Sequence, residues 1–176
     1  DRLGNLVFGE EDERLQDVVV ADLLTRGETL ATVEIGTGGL LAAALTDVAG
    51  ALECYRGGLV LPGPAAIAGE LGLSADRFDP ADANTPAVAE AMAEACRERF
   101  GSRLALAVTE CPEFDADDSS ADPQSTCAAV ATPAGTASRQ LVLLGDPAIR
   151  RTRTVKTALD LLRRRDEVLA APEHGA

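Results

Sequence analysis

The chain reads as an α/β domain, a three-layer α/β/α sandwich around a mixed sheet of roughly five strands. Three observations predict it. Short apolar runs alternate with segments of helical periodicity, as helix-linked strands require. The run Leu104-Ala105-Leu106-Ala107-Val108-Thr109 is almost continuously apolar, as in a strand covered on both faces. Two late runs flank the turn Pro133-Ala134-Gly135-Thr136, which adds an antiparallel hairpin to the sheet. The 176 residues suffice for one domain with its own core. With no tryptophan and one tyrosine, that core must be built from Ala, Val and Leu.

Residues 1–9 read as an entry arm, followed by a domain over 10–170 and a frayed tail over 171–176. A helix is expected from Glu10 to Arg26, with Leu15, Val18, Val19, Leu23 and Leu24 inward and Gly27 as its left-handed stop. Strand one covers Thr29 to Ile35, and the next helix covers Leu40 to Val48. Leu59-Val60-Leu61 makes a short strand closed by Pro62-Gly63-Pro64, and a short helix spans Ala65 to Leu71. After a polar loop, Ser74 to Asn84, Thr85 caps a helix that opens on Pro86. Its stripe of Val88, Met92, Ala95 and Phe100 is core.

Beyond the central strand, residues 113–123 form an acidic, serine-rich loop. Thr126–Thr132 and Gln140–Leu144 make the hairpin. One last helix runs from Ala148 to Leu169, with Ile149, Val155, Leu159 and Leu162 inward.

A net charge of −13 argues against a nucleic-acid groove or an anionic membrane as partner. No run approaches the roughly 18 apolar residues of a membrane span. With no signal-peptide pattern at the start, a cytoplasmic protein is expected. The cations are unevenly placed: Arg150, Arg151, Arg153 and Lys156, then Arg163 to Arg165, crowd the last helix. Two readings stand side by side, a solvated face that compensates the helix dipole and an arginine near residue 150 that meets a phosphate. Cys54, Cys96, Cys111 and Cys127 lack metal-ligand spacing, and the one histidine is His174. Buried, reduced thiols are expected, with no metal and no cofactor.

The segment Val33-Glu34-Ile35-Gly36-Thr37-Gly38-Gly39-Leu40-Leu41 is a strand, a glycine turn and a helix start, a shape that presents backbone N–H groups to an anion. It resembles the A-E-S-C-T-G-G-L-L signature of the CinA C-terminal family, the nicotinamide mononucleotide deamidases. The resemblance runs from about Leu3 to Arg165. It includes Leu3-Gly4-Asn5-Leu6-Val7-Phe8-Gly9-Glu10, similar to the link that follows an upstream domain in longer CinA proteins, and also Leu45 to Gly50, Met92-Ala93-Glu94 and Gly145-Asp146. It implies a five-stranded mixed sheet, a homodimer, a pyridine nucleotide as ligand and a preceding domain in the same polypeptide.

The family's chemistry maps poorly onto this chain. The nucleophilic serine corresponds to Ile35 and the following cysteine to Gly36. The family's Tyr-Ser-Asn-x-x-Lys run corresponds to Pro62-Gly63-Pro64-Ala65-Ala66-Ile67, and its G-D-R motif to Gly145-Asp146-Pro147. The loop after the central strand keeps Thr109 but not the glycines. Acyl-enzyme hydrolysis needs a nucleophile, a base and oxyanion donors, so no catalytic set is intact at Ile35, Pro62 and Pro147. Thr37, Gly38, Gly39 and Thr109 remain as substrate-binding positions.

Three functions follow from this pattern: an interaction or regulatory module without amidohydrolase activity, a working nicotinamide-nucleotide amidohydrolase with Thr37 or Thr109 as nucleophile, and nucleotide binding without turnover. The first is the leading expectation. Ile35 is expected to be buried against Pro62 and Pro64, with Phe114 nearby, in a site turned apolar.

Overall fold

Strand β1 (Leu30–Ile35) is buried on both faces along its whole length, which puts it inside the sheet rather than at an edge. The computed structural model describes residues 14–73, 84–109, 124–143 and 146–170. The sheet has five strands in the order β2-β1-β3-β4-β5, with β2 at Tyr55–Leu61, β3 at Leu104–Val108, β4 at Gln124–Thr132 and β5 at Gly135–Leu143. Strand β1 pairs parallel with both β2 and β3. The β3–β4 and β4–β5 pairs are antiparallel, so β4 alone runs against the others.

One face carries α1 (Leu15–Arg26), α2 (Leu40–Thr46), α3 (Ala51–Cys54) and α6 (Pro147–Arg163), packed on a cluster that includes Leu23, Leu30, Leu45, Leu106, Val130 and Leu159. The other face carries α4 (Pro64–Leu71) and α5 (Pro86–Phe100), over Val33, Ile35, Met92, Cys96, Ala107 and Ala129. Alternation along β1 divides the two: Leu30 belongs to the first cluster, Ala31, Val33 and Ile35 to the second. This is the expected three-layer α/β/α sandwich.

The local signals act as expected at several ends. Gly27 takes φ 63° and closes α1, and the Thr85 hydroxyl accepts from the Val88 amide to cap α5. Cys54, Cys96 and Cys127 are all buried free thiols, while Cys111 lies outside the described residues. Burial pushes the Cys96 thiol up to about 12 and the Cys127 thiol up to about 11.

Other expectations are corrected. Helix α1 starts at Leu15, because Arg14 is extended at φ −77° and ψ 146°; the proposed earlier turn, 10–13, lies outside the described residues. Val18 is half-buried and Leu24 is 38% exposed, whereas Val20 is buried. Helix α2 stops at Thr46, and a separate turn, α3, precedes β2.

Strand β2 begins four residues earlier than read, at Tyr55, through two glycines that sequence preference assigns to a loop. Ring atoms of Phe100 stand 3.1 Å from where a Cβ on Gly57 would be, and the Tyr55 hydroxyl stands 2.5 Å from a Cβ on Gly58. The two aromatic side chains thus cover the strand where it has no side chains of its own.

The hairpin is tighter than expected. Thr132 pairs with Gly135 across Pro133-Ala134, so β5 starts at Gly135 rather than Gln140. The last helix breaks at Arg164, φ −99° and ψ 16°, and α7 (Arg165–Ala170) follows. The break lets buried Arg165 place Nη2 2.7 Å from both Asp22 Oδ2 and Glu28 Oε2, joining α7 to the end of α1. Ile149, read as inward, is 45% exposed.

Candidate functional site at the carboxyl ends of the parallel strands

The strand order reverses at β1. Its chain leaves through α2 and α3 to β2 on one side, and β3 arrives on the other side after α4 and α5 on the opposite face. Such a reversal opens a crevice beyond the carboxyl ends of the strands, where ligands of open α/β sheets bind. Here those ends are Ile35 and Val108, with Glu34 opposite Val108 in the register and Thr109 next along the chain.

The turn after β1 needs left-handed backbone at Gly36 (φ 76°), Gly38 (φ 66°) and Gly39 (φ 89°), which a side chain would strain. Gly39 is the N-cap of α2, which begins at Leu40. The strand-turn-helix shape expected from the sequence is therefore present. Two amides of the helix start that follows the turn, those of Leu41 and Ala42, already donate to the carboxylate of Glu34. Oε1 accepts from the Ala42 N–H at 2.9 Å, and Oε2 from the Leu41 N–H at 3.1 Å and the Thr37 hydroxyl at 2.6 Å. Glu34 is fully buried, and Thr37 is 1% exposed.

Thr37 stands two residues before Gly39, the N-cap of α2. Its hydroxyl turns back on the strand carboxylate. That contact has the distance a hydroxyl nucleophile and its base require. Two backbone N–H groups also occupy the carboxylate, and burial keeps solvent away from the hydroxyl. Beside this cluster the Thr32 and Tyr55 hydroxyls are 2.6 Å apart. Burial, with the charge of Glu34 adding to it, pushes the Tyr55 phenol above its ordinary value.

Ile35 points into the other layer, in the α4/α5 cluster with Leu61, Ile67 and Met92, and has no exposed surface. Pro62 is exposed, which corrects the expectation that it walls in Ile35; Leu61 and Ile67 lie in that cluster instead. The side chain of Pro64 and all of Phe114 lie outside the described residues. Gly38 is exposed at the tip of the turn.

Thr109 is a strand extension. Its hydroxyl accepts from the Cys127 N–H at 2.8 Å, its own N–H donates to the Cys127 carbonyl at 2.9 Å, and the Thr126 hydroxyl donates to its carbonyl at 2.9 Å. Asp146 and Pro147, where the resemblance has an arginine third, form a helix start: Asp146 Oδ1 accepts from the Ile149 N–H at 3.0 Å and exposed Pro147 takes the first helical position. Arg150, one turn further on, is 3% exposed, so its side chain is part of the fold's interior. Gly145, Cys111, the acidic loop and His174 lie outside the described residues. Among the described residues no group of His, Cys, Asp and Glu is arranged to hold a metal ion, and no helix is long and apolar enough to cross a membrane.

Sequence reasoning singled out Thr37, Gly38 and Gly39 but missed Glu34, the residue that organises them. The available signal was its parity: on an interior strand, a carboxylate two places from Thr32 must face a helix layer, where a buried carboxylate needs donors.

A switch-point α/β domain with a glycine turn and a buried strand-end carboxylate is the class that this geometry defines. Residues 12–165 match the family model of the CinA C-terminal domain, and the chain belongs to that family. It is 39% identical over 165 residues to a CinA-like protein of Frankia casuarinae, an alignment covering 92% of this chain and 37% of that protein. It is 36% identical over 166 residues to a putative competence-damage inducible protein of Caldanaerobacter subterraneus subsp. tengcongensis, covering 92% of this chain and 39% of the relative. The chain thus spans about two-fifths of the length of these relatives.

Among solved structures, it is similar to a competence/damage inducible protein, CihA, of Agrobacterium tumefaciens. The TM-score is 0.77 at 25% identity, over 91% of this chain and 98% of that one. The competence damage-inducible protein A (ComA) of Klebsiella pneumoniae subsp. pneumoniae superposes with a TM-score of 0.76 at 26% identity, over 87% of this chain and 95% of that one.

Proposed function

We propose that this CinA C-terminal domain does not hydrolyse nicotinamide nucleotides and serves as an interaction or regulatory module, working in the cytoplasm as part of a longer polypeptide. One observation carries the reading: the residue at the end of β1, where the resemblance puts a nucleophilic serine, is Ile35, fully buried in an apolar cluster. A hydrocarbon there supplies no nucleophile, and its burial removes the space an attacking group needs.

The Thr37–Glu34 contact at 2.6 Å favours a second reading, in which Thr37 is the nucleophile and Glu34 its base. Ammonia release from nicotinamide mononucleotide, measured beside calorimetric binding of the same compound, separates the readings. The module reading expects neither turnover above background nor recovery on Ile35→Ser. Turnover at enzymatic rates that disappears on Thr37→Ala overturns it. Binding without ammonia release would make the domain a nucleotide sensor.

A further inference from the structure

We infer that two copies of this chain pair through the outer edge of strand β2, and that each copy thereby places Arg56 beside the glycine turn of the other. Strand β2 ends the sheet, and its outer edge has no strand partner among the described residues. Proteins usually blunt such an edge with charge or proline, because its open N–H and C=O groups are a template for another chain. From Gly57 to Leu61 this edge carries neither.

The surroundings of the edge are equally uncharged. No Asp, Glu, Lys or Arg occurs from Ile35 to Thr46 or from Gly57 to Gly69, in a chain of which 26% is charged. The two stretches meet in space: Val60 Cγ2 stands 3.7 Å from where a Cβ on Gly39 would be. Helix α2 packs on one face of the sheet and α4 on the other, with β2 between them. Leu40, Ala43, Gly58, Val60, Pro62 and Ala65 are exposed around this edge.

The distribution of charge selects the occupant. A basic partner would be met by acidic side chains, which this chain has in plenty and keeps out of these two stretches. A second copy carries the same net charge of −13 and approaches at least cost where charge is absent. In a two-fold contact the residue on the axis meets itself, so a charge there repels its own mate. The two edge strands differ on this point: β5 has Arg139 at its midpoint, whereas β2 has Gly58. An antiparallel pairing that uses all of Tyr55–Leu61 is centred on Gly58 and sets Arg56 opposite Val60 of the other copy. Both side chains are exposed. Because Val60 adjoins Gly39, the guanidinium arrives at the rim of the other copy's glycine turn, and the two sheets become one. The inference goes beyond the module reading and does not depend on it; oligomeric state reports on the one and ammonia release on the other.

The test is sedimentation equilibrium of the purified protein over a range of concentration and salt. The expected result is a reversible dimer that tightens as salt screens the net charge. Val60→Arg, which sets like charges opposite each other twice per dimer, should raise the dissociation constant about tenfold or more. Val60→Glu, which offers Arg56 a carboxylate, should raise it less, and Arg56→Glu combined with Val60→Arg should restore the dimer. Unaltered far-ultraviolet circular dichroism would confirm that the variants fold. A monomer at every concentration and salt overturns the inference, as does a dimer that Val60→Arg leaves intact. Equal losses in Val60→Arg and Val60→Glu, or a charge swap that restores nothing, also overturn it.

Discussion

Replacing Glu34 with alanine removes a fully buried carboxylate and leaves three donors facing its place, the Leu41 and Ala42 N–H groups and the Thr37 hydroxyl. Each buried donor left without a partner costs about 1–3 kcal/mol. Against this stands the desolvation of the carboxylate, which the variant no longer carries. Helix α2 has seven residues and little stability of its own, so the loss should propagate through the turn. The net expectation is a loss of about 3–5 kcal/mol. At about 2–4 °C per kcal/mol for a domain of this size, the melting temperature should fall by roughly 6–20 °C.

Glu34→Gln keeps the volume but supplies one acceptor and turns an amide donor toward N–H groups, so a smaller loss of about 1–3 kcal/mol is expected. Urea unfolding followed by circular dichroism measures both, and amide exchange of Leu41 and Ala42 locates the effect. A loss below about 1 kcal/mol in Glu34→Ala, with the exchange of those amides unchanged, would refute the claim that the carboxylate holds the turn.

Further outcomes are expected elsewhere in the fold. Gly58→Ala should cost about 1–3 kcal/mol, because the new Cβ overlaps the Thr32 hydroxyl and stands 2.9 Å from the Thr32 carbonyl; Gly69→Ala, with nothing within 4 Å, should be neutral or stabilising. Arg165→Met should lower the urea midpoint, by less than the ~3–5 kcal/mol of a fully severed buried pair, since Asp22 and Glu28 keep Arg26 and Arg103. An unchanged midpoint would show that the triad adds nothing. For the thiols, folding raises the Cys96 pKa from 9.0 to about 12, so its contribution is fully present below pH 9 and is lost as pH rises toward 12. Stability measured at pH 8 and pH 10 should therefore drop, and the drop should shrink in Cys96→Ala.

Much of the scaffold was legible because it is written in local chemistry. The apolar run of Leu104–Val108 marks an interior strand, Thr85-Pro86 marks a helix start, and Gly27 a helix stop, each through interactions within a few residues of chain. The glycine turn was legible for the same reason, since three left-handed positions in four residues need glycine. Strand β2 was only half legible. Nothing in Tyr55-Arg56-Gly57-Gly58 favours a strand, and it becomes one by pairing with β1 under the rings of Tyr55 and Phe100, the latter 43 residues beyond Gly57 in sequence. The break at Arg164 was likewise hidden, because a uniform run of helix formers gives way there to a contact between Arg165 and the distant Asp22 and Glu28.

By itself the sequence determined the layer order, the glycine turn and the absence of a hydroxyl at Ile35, because residue identity and short-range backbone preference suffice for each. It could not say what the turn holds. Whether the Leu41 and Ala42 amides await an external anion depends on where Glu34 points, and that follows from the side-chain parity of β1 and the seating of α2 on the sheet. Thr37 and Thr109 read as site hydroxyls until their partners are known; the tertiary structure turns one onto Glu34 and the other onto Cys127. A buried polar group is defined by what satisfies it, and its partners come together only when the chain is folded.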